Sequence, residues 1–368
     1  MEPLCARQRV LNAINRLPVD RLPASESFWG DTTLRWTGEG YLQEGEDVVA
    51  HFDLDIRRAG GINSVADLDF QPVVLEETEE TILRLDGNGA RLRRHKLHAS
   101  TPEHVGFAVT NRRGWEELIR PRLLDVDRHR IPFESYRAER QRAAQEERHF
   151  CWSGRAPFEE MHPMCGHEHM LIGMAEDPDW VLDMVMTYAR FTIMHLEVLF
   201  AEEGLPDSIW FFEDMGFKGK PFMSPAMYRQ IMQPGHQLLF GYAHSLGRQV
   251  LVHSCGFVEP LVPGLIEAGM DCLQAMEVKA GMDMPRLFQR YGHRIAFFGN
   301  IDVREIASND RQRIRAELER KVPPVLTRGG GYLLHSDHSI PPTVDHDTYR
   351  FFLDCGRALG RLTWPCRS

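Results

Sequence analysis

The stretch "VLVHSCGFVEP" places His253 and Cys255 two residues apart, directly before Gly256. Neutral imidazole and thiolate are donors that suit zinc, and a catalytic zinc usually takes three protein ligands and leaves one position open. Residues two apart on a strand project to the same side. An apolar strand "VLV" would therefore deliver both donors to one point. A lone histidine–cysteine pair is equally compatible with the lining of a tight turn. Its meaning depends on the elements that carry it and on what else they bring.

Those elements can be read from the pattern of apolar residues. "DSIWFFED" (207–214), "RQVLVHSCG", "DCLQAMEV", "RIAFFGNID" and "GGYLLHSDH" are short apolar runs that read as buried strands. Amphipathic stretches separate them: one opened by Ser224 as N-cap with Pro225 behind it, "VEPLVPGLIEAG" ending at Gly269, "MPRLFQRYG", and "RQRIRAELERKVPPVL". Upstream, "RHFCWSG" (148–154) is another strand and is followed by the long helix starting at "DPDWVLDMV". "DRLPASESF" (20–28) reads as an early strand and "DLDIRRAG" (53–60) as a weaker one. A tally of about eight predicts an α/β chain closed into a (β/α)8 TIM barrel. No GxGxxG turn follows any strand, which counts against an open dinucleotide-binding sheet.

Between about residues 69 and 109 the rhythm changes to alternation around the Asp86-Gly87-Asn88-Gly89 turn, predicting an inserted antiparallel β-hairpin region. Its Arg91, Arg93, Arg94 and His95 read as the solvated face of an edge strand. With no repeat and no linker, residues 1–368 read as a single domain.

Composition narrows the partners. The 368 residues are 43% hydrophobic and 26% charged, with a formal net charge of −10. That balance predicts a globular protein without general affinity for nucleic acid or an acidic membrane. No apolar run approaches the ~20 residues that span a bilayer. The seven cysteines are scattered and odd in number, a poor disulfide framework, so a reducing cytoplasm is expected.

In a parallel barrel the active site gathers where the strands end at their C-terminal side. Here those ends carry Glu26, Arg155, Glu213 with Asp214, His253 with Cys255, Glu277 with Lys279, Asn300 with Asp302, and His335-Ser336-Asp337-His338. One such residue is more often a helix cap than a functional group; seven converging strand ends are harder to dismiss. Glu213, Asp214 and Glu277 are expected to be catalytic. Glu26, Trp29, Arg155, Lys279, Asn300, Asp302, Tyr332 and His335 are expected to bind substrate, and His253, Cys255 and His338 to hold a metal. Glu213, Glu277 and Asp337 stand in reserve as the third ligand. Trp29, Trp36, Phe212, Phe217 and Tyr332 are aromatics suited to an apolar pocket, with core packing preferred for Phe212.

Read in order, "RQRVLNAINRLPVDRLP", "GMAEDPDWVLDMV", "FFEDMGFKGKPFMSPAMYRQIMQP", "LVHSCGFVEPLVPGLIEAGMDCLQAMEVKAGMD", "GHRIAFFGNIDVR" and "GGGYLLHSDHSIPPTV" resemble the uroporphyrinogen decarboxylase superfamily over nearly the whole chain. The resemblance implies a (β/α)8 barrel with its site at the C-terminal mouth, and a homodimer among the assemblies to expect. The porphyrin-making decarboxylases carry an N-terminal arginine motif, where this chain reads "ASESFWGDTTLRW". The other branch comprises cobalamin-dependent methyltransferases, whose zinc is held by the histidine and cysteine of an HxCG motif and a later cysteine. His253 and Cys255 match the first two. "HSDHSIPP" stands where the later cysteine belongs, and Cys355 falls on an expected helix, so His338 or a carboxylate takes the third place or zinc is absent.

A zinc with one thiolate fewer is a harder Lewis acid. The expected function is therefore zinc-dependent transfer of a methyl group between a small O- or N-methylated substrate and the corrinoid of a partner protein. A metal-free decarboxylase using Asp214 and Arg155 is the runner-up, and a non-catalytic ligand-binding barrel is third.

Overall fold

Seven strands run parallel in one curled sheet, each paired with the next of them in chain order. The computed structural model in which they are seen describes residues 3–97 and 102–363. The strands are β1 (Ile56–Gly60), β6 (His149–Arg155), β7 (Ser208–Phe212), β10 (Gln249–Ser254), β11 (Cys272–Ala275), β12 (Ala296–Gly299) and β13 (Tyr332–Leu333). All are short, and each connection contains at least one helix, among them Phe133–Gln145, Pro178–Glu203, Gln233–Ser245, Val262–Ala268, Met284–Tyr291 and Arg311–Leu326. Strictly parallel neighbours need such crossovers, because a tight turn cannot return a chain to the same direction.

The sheet is buried on both faces, which explains the near-continuous apolar runs. On the inner face each strand contributes to one core layer: Ile56, Cys151, Trp210, Leu251, Cys272, Ala296, Phe298 and Leu333. Val10, Ala13 and Ile14 of the helix Ala6–Ile14 pack into the same cluster. The outer face packs against the helices in a larger core that includes Trp152, Phe211, Val250, Leu273 and Phe297.

Residues 20–28 form no regular strand. They make isolated parallel bridges, Ala24 to Leu334 and Phe28 to Ile340, and the Ala24 carbonyl accepts from the Asp55 amide at 2.7 Å. The segment thus touches both edges of the sheet, β13 and the start of β1. Pro23 has no N–H to donate, which limits how far a ladder can run here. The architecture is a parallel α/β sheet compatible with the expected barrel.

The insertion is larger than one hairpin. β2 (Val73–Glu77), β3 (Thr81–Leu85), β4 (Arg91–His95) and β5 (Glu103–Gly106) form a four-stranded antiparallel sheet in sequence order. Residues 98–101 of the expected hairpin region lie outside the described residues. β4 is an internal strand, so its arginines are not an edge face; Arg93 pairs with Glu76 and Glu103, each at 3.2 Å. A small ribbon, β8 (Gly216–Phe217) and β9 (Lys220–Pro221), follows β7. Ser224 caps the next helical turn, accepting from the Met227 amide, and Gly269 ends the Val262–Ala268 helix in left-handed geometry. Among the described residues, no helix is long and apolar enough to cross a membrane.

Candidate metal centre and active site

His253 lies next to the end of β10 and shares its inward face with Leu251 of the core layer. Its Nε2 is 3.3 Å from the Cys255 sulfur and 3.3 Å from Asp214 Oδ1. Ligand atoms of Asp214, His253 and Cys255 all lie within 4.8 Å of one another. One nitrogen, one sulfur and one oxygen donor thus face a common point.

The opposite ring nitrogen, Nδ1, bonds to the side-chain oxygen of Gln274. That contact places a ring proton on Nδ1 and turns Nε2 towards Cys255 and Asp214, where a metal ion would take the place of the second proton, as outer-shell partners of metal-bound histidines arrange. Sheet register creates it, because His253 stands opposite Gln274 on β11 and opposite Phe212 on β7. Burial lowers the His253 pKa, but Cys255 and Asp214 outweigh it and raise it well above the ordinary value. The pocket thus favours positive charge where a cation would sit. The donor set fits zinc.

The turn is held in place by its neighbours. The Cys255 amide donates to Asp214 Oδ1 at 2.7 Å, and the Gly256 amide to Glu277 at 2.8 Å. Gly256 has φ +73, and a Cβ there would collide with the backbone of Gly216.

Cys255 lies on the wall of two cavities. The inner one, about 290 Å³, is lined by Trp29, Arg58, Trp210, Phe212, His253 and His335 among others. The outer one, about 750 Å³, takes in His162, His167, Asp214, Glu277, Lys279 and Arg304. Glu277 and Lys279 are paired at 3.0 Å.

His338 lines the inner cavity and stacks on Trp29 at 6.0 Å between ring centroids; it lies outside the donor group, where Asp214 is the third member. Glu213 is fully buried, accepts from the amides of Phe158 and Glu159, and bonds His236 at 2.6 Å. It therefore anchors a helix start instead of facing either cavity. Asp302 caps the next helix and pairs with Arg304 at 2.7 Å. Asn300 is buried with φ +66, and its side chain bonds backbone groups of Met276, Met282 and Met284. The Tyr332 hydroxyl donates to the Gly299 carbonyl inside the core. Asp337 accepts from the Val278 and Val303 amides. Arg155 binds Ser64 and Glu160 and lines neither cavity.

His335 lines the inner cavity and meets the fully buried Glu26, Nε2 and Oε1 3.1 Å apart. Burial drives the Glu26 pKa up to about 8 although Ser336 donates to it, and burial drives His335 down to about 3. At neutral pH, Glu26 keeps its proton and His335 is uncharged. The folded state then binds more protons at Glu26 than the unfolded chain between pH ~4.5 and about 8, so this group makes stability fall as pH rises through that window. Glu26→Gln should flatten that part of the profile, so that denaturant midpoints at pH 5 and pH 8 differ less in the variant than in the wild type.

Arg58 was not singled out by sequence reading, and its neighbour explains why it matters. On β1, Arg57 points outward and is paired with Asp47, Glu139 and Glu146. Arg58 points inward, lies over the Trp210 ring at 4.8 Å, and donates to Ser27 Oγ at 3.3 Å. Among the described residues it has no carboxylate within ion-pair distance, and burial lowers its pKa. Strand alternation was the available signal, since Ile56 and Arg58 share a face.

A parallel α/β fold with ionisable groups and an N/S/O donor triad at its strand ends is the arrangement of an enzyme. The family model described as Uroporphyrinogen decarboxylase (URO-D) matches residues 112–359, and the chain belongs to that family. No curated protein matches the chain in sequence. Among solved structures, a methyltransferase from Methanosarcina mazei aligns with a TM-score of 0.65 and 14% identity over 96% of this chain and 98% of that one, a likeness of fold. A Xaa-Pro dipeptidase aligns at a TM-score of only 0.31 and 11% identity, over 62% of this chain and 59% of that one.

Proposed function

We propose that this protein is a zinc-dependent methyltransferase that moves a methyl group from a small methylated compound to the corrinoid of a separate protein. The observation that carries the reading is the convergence of His253 Nε2, Cys255 Sγ and Asp214 Oδ1 at the wall between two cavities. The similar fold of the Methanosarcina mazei methyltransferase agrees with it. Residues 23–28 are read as the eighth barrel position, closing one domain, and a reducing cytoplasm suits the free Cys151, Cys165, Cys255 and Cys272.

Bound by the triad, zinc would supply Lewis acidity that stabilises the charge left on a heteroatom when its methyl group departs. The residues do the rest. Trp29, Trp210 and Phe212 give the inner cavity flat apolar walls for a ring. Arg58 presents an unpaired cation there, which favours an anionic O-methyl compound and disfavours a methylammonium. Protonated Glu26 and neutral His335 leave that cation unneutralised. The wider outer cavity, with Lys218, Lys279 and Arg304, is the approach for the methyl acceptor, and Glu277 holds the turn between the two.

With zinc supplied and the free corrinoid reduced to Co(I) by an added reductant, methyl transfer that forms methyl–Co(III) and releases the hydroxybenzoate should be detected from methoxybenzoates and be weaker from methylamines. Absence of transfer from every member of that panel would overturn the reading. The metal-free decarboxylase gains no support from Arg155, which is occupied by Glu160.

A further inference from the structure

A second set of donors stands beside the first and serves no part of the mechanism above. His104 on β5 meets His162 and His167 of the Pro157–Glu176 helix, with ring nitrogens of all three within 4.8 Å of one another. We propose that His104, His162 and His167 form a second metal site, taking a zinc-class divalent ion through three imidazoles with its open side towards the outer cavity.

Four observations support it. First, His162 Nε2 bonds Glu159 at 3.0 Å, while its buried Nδ1 has no hydrogen-bond partner. The carboxylate fixes the proton on Nε2 and leaves a desolvated lone pair at Nδ1, the carboxylate–histidine arrangement of metal sites. Second, the cluster sits against an apolar wall: the His167 ring lies 6.0 Å from the Phe158 ring and 5.1 Å from the Phe222 ring, centroid to centroid.

Third, the helix is broken to bring the histidines together. Residues five apart on a regular helix do not share a face. Between His162 and His167, Gly166 takes φ +78 and ψ 152, and a Cβ there would collide with the Phe107 ring. Phe107, two residues beyond the end of the His104–Val105 pair on β5, thus packs into the break that re-aims His167. The His162 and His167 rings lie 4.3 Å apart, with His104 at 5.7 and 6.2 Å from them. Fourth, His162 and His167 line the cavity that also holds Asp214 and Cys255. Three nitrogen ligands with an open face are the composition of a catalytic-type zinc site. An ion there would also tie the antiparallel sheet to the rim.

The test is titration of the metal-free full-length protein with Co2+, counting bound ions and following the thiolate-to-cobalt charge-transfer band. Wild type should bind two ions. His104→Gln and His167→Gln should each lose one ion and keep the band, and Cys255→Ser should lose the band and keep one ion. Glu159→Gln should weaken the second ion by roughly 10–100-fold. Thermal melts of the metal-free variants, unchanged from metal-free wild type, separate loss of a ligand from loss of fold; His104, on an edge strand, is the safer of the two positions. A single bound ion untouched by either histidine variant overturns the proposal, as does loss of the band in those variants. One ion lost only in the histidine variants, with no band in wild type, upholds this site and removes the Cys255 centre instead.

Discussion

Cys255→Ser should reduce zinc from about one per chain at the Cys255 centre to near none, and lower methyl transfer by more than ~100-fold, since disturbing even an outer-shell partner costs ~10–100-fold. A serine hydroxyl keeps its proton at neutral pH and cannot replace a thiolate donor. His253→Ala should act as strongly, because Nε2 is the donor that faces both other ligands. Asp214→Asn keeps the shape and the bond from the Cys255 amide but removes the charge, so it should weaken zinc while the turn survives. His338→Ala should leave zinc in place, given that its ring is stacked on Trp29. Metal analysis of the four variants checks the assignment. Zinc lost from His338→Ala and retained in Asp214→Asn would return His338 to the ligand set.

Arg58→Gln should lower kcat/KM for an anionic methoxy substrate by roughly 10–150-fold, the equivalent of the ~1.5–3 kcal/mol carried by a hydrogen bond to a charged group. The loss should fall mainly on KM, since the cation holds the substrate and takes no part in bond breaking. A neutral analogue, the corresponding methyl aryl ether without its carboxylate, should lose little. The variant should also be at least as stable as wild type in the absence of substrate, because the buried guanidinium lacks a counter-ion there. Steady-state kinetics on the substrate pair, with denaturant unfolding of the free protein, gives both readouts. Equal losses on both substrates would assign Arg58 to packing against Trp210.

Much of the fold was legible because burial on both faces of a parallel sheet leaves a plain mark. "SIWFF", "VLVHS", "CLQA" and "AFFG" are strands for the reason that made them readable, with no solvent face to interrupt them. Residues 20–28 misled because their short apolar and polar mixture bridges strands without forming a ladder. The antiparallel insertion was recognised by its alternation and its glycine turn, but the number of strands depends on pairing between distant residues.

The site divides the same way. His253 and Cys255 were readable because a two-residue spacing on a strand settles which side both donors take. Proposing Asp214 in place of His338 as the third ligand needed the tertiary structure, since it rests on where the turn after β7 approaches the turn after β10. Glu213, adjacent to Asp214 in the chain, was the one held in reserve as a ligand, and it is spent on His236 and a helix start. Sheet register places Gln274 beside His253, and strand alternation places Arg58 over Trp210 at the inner cavity. The three histidines stand 58 to 63 residues apart between β5 and the helix, and only a broken helix packed on an antiparallel sheet brings them together. By itself the sequence determined the fold class and the strand-borne pair, both products of local periodicity. The tertiary structure set Asp214 beside that pair, turned Arg58 to the inner cavity and gathered the three histidines, because each depends on contacts between segments that no spacing along the chain encodes.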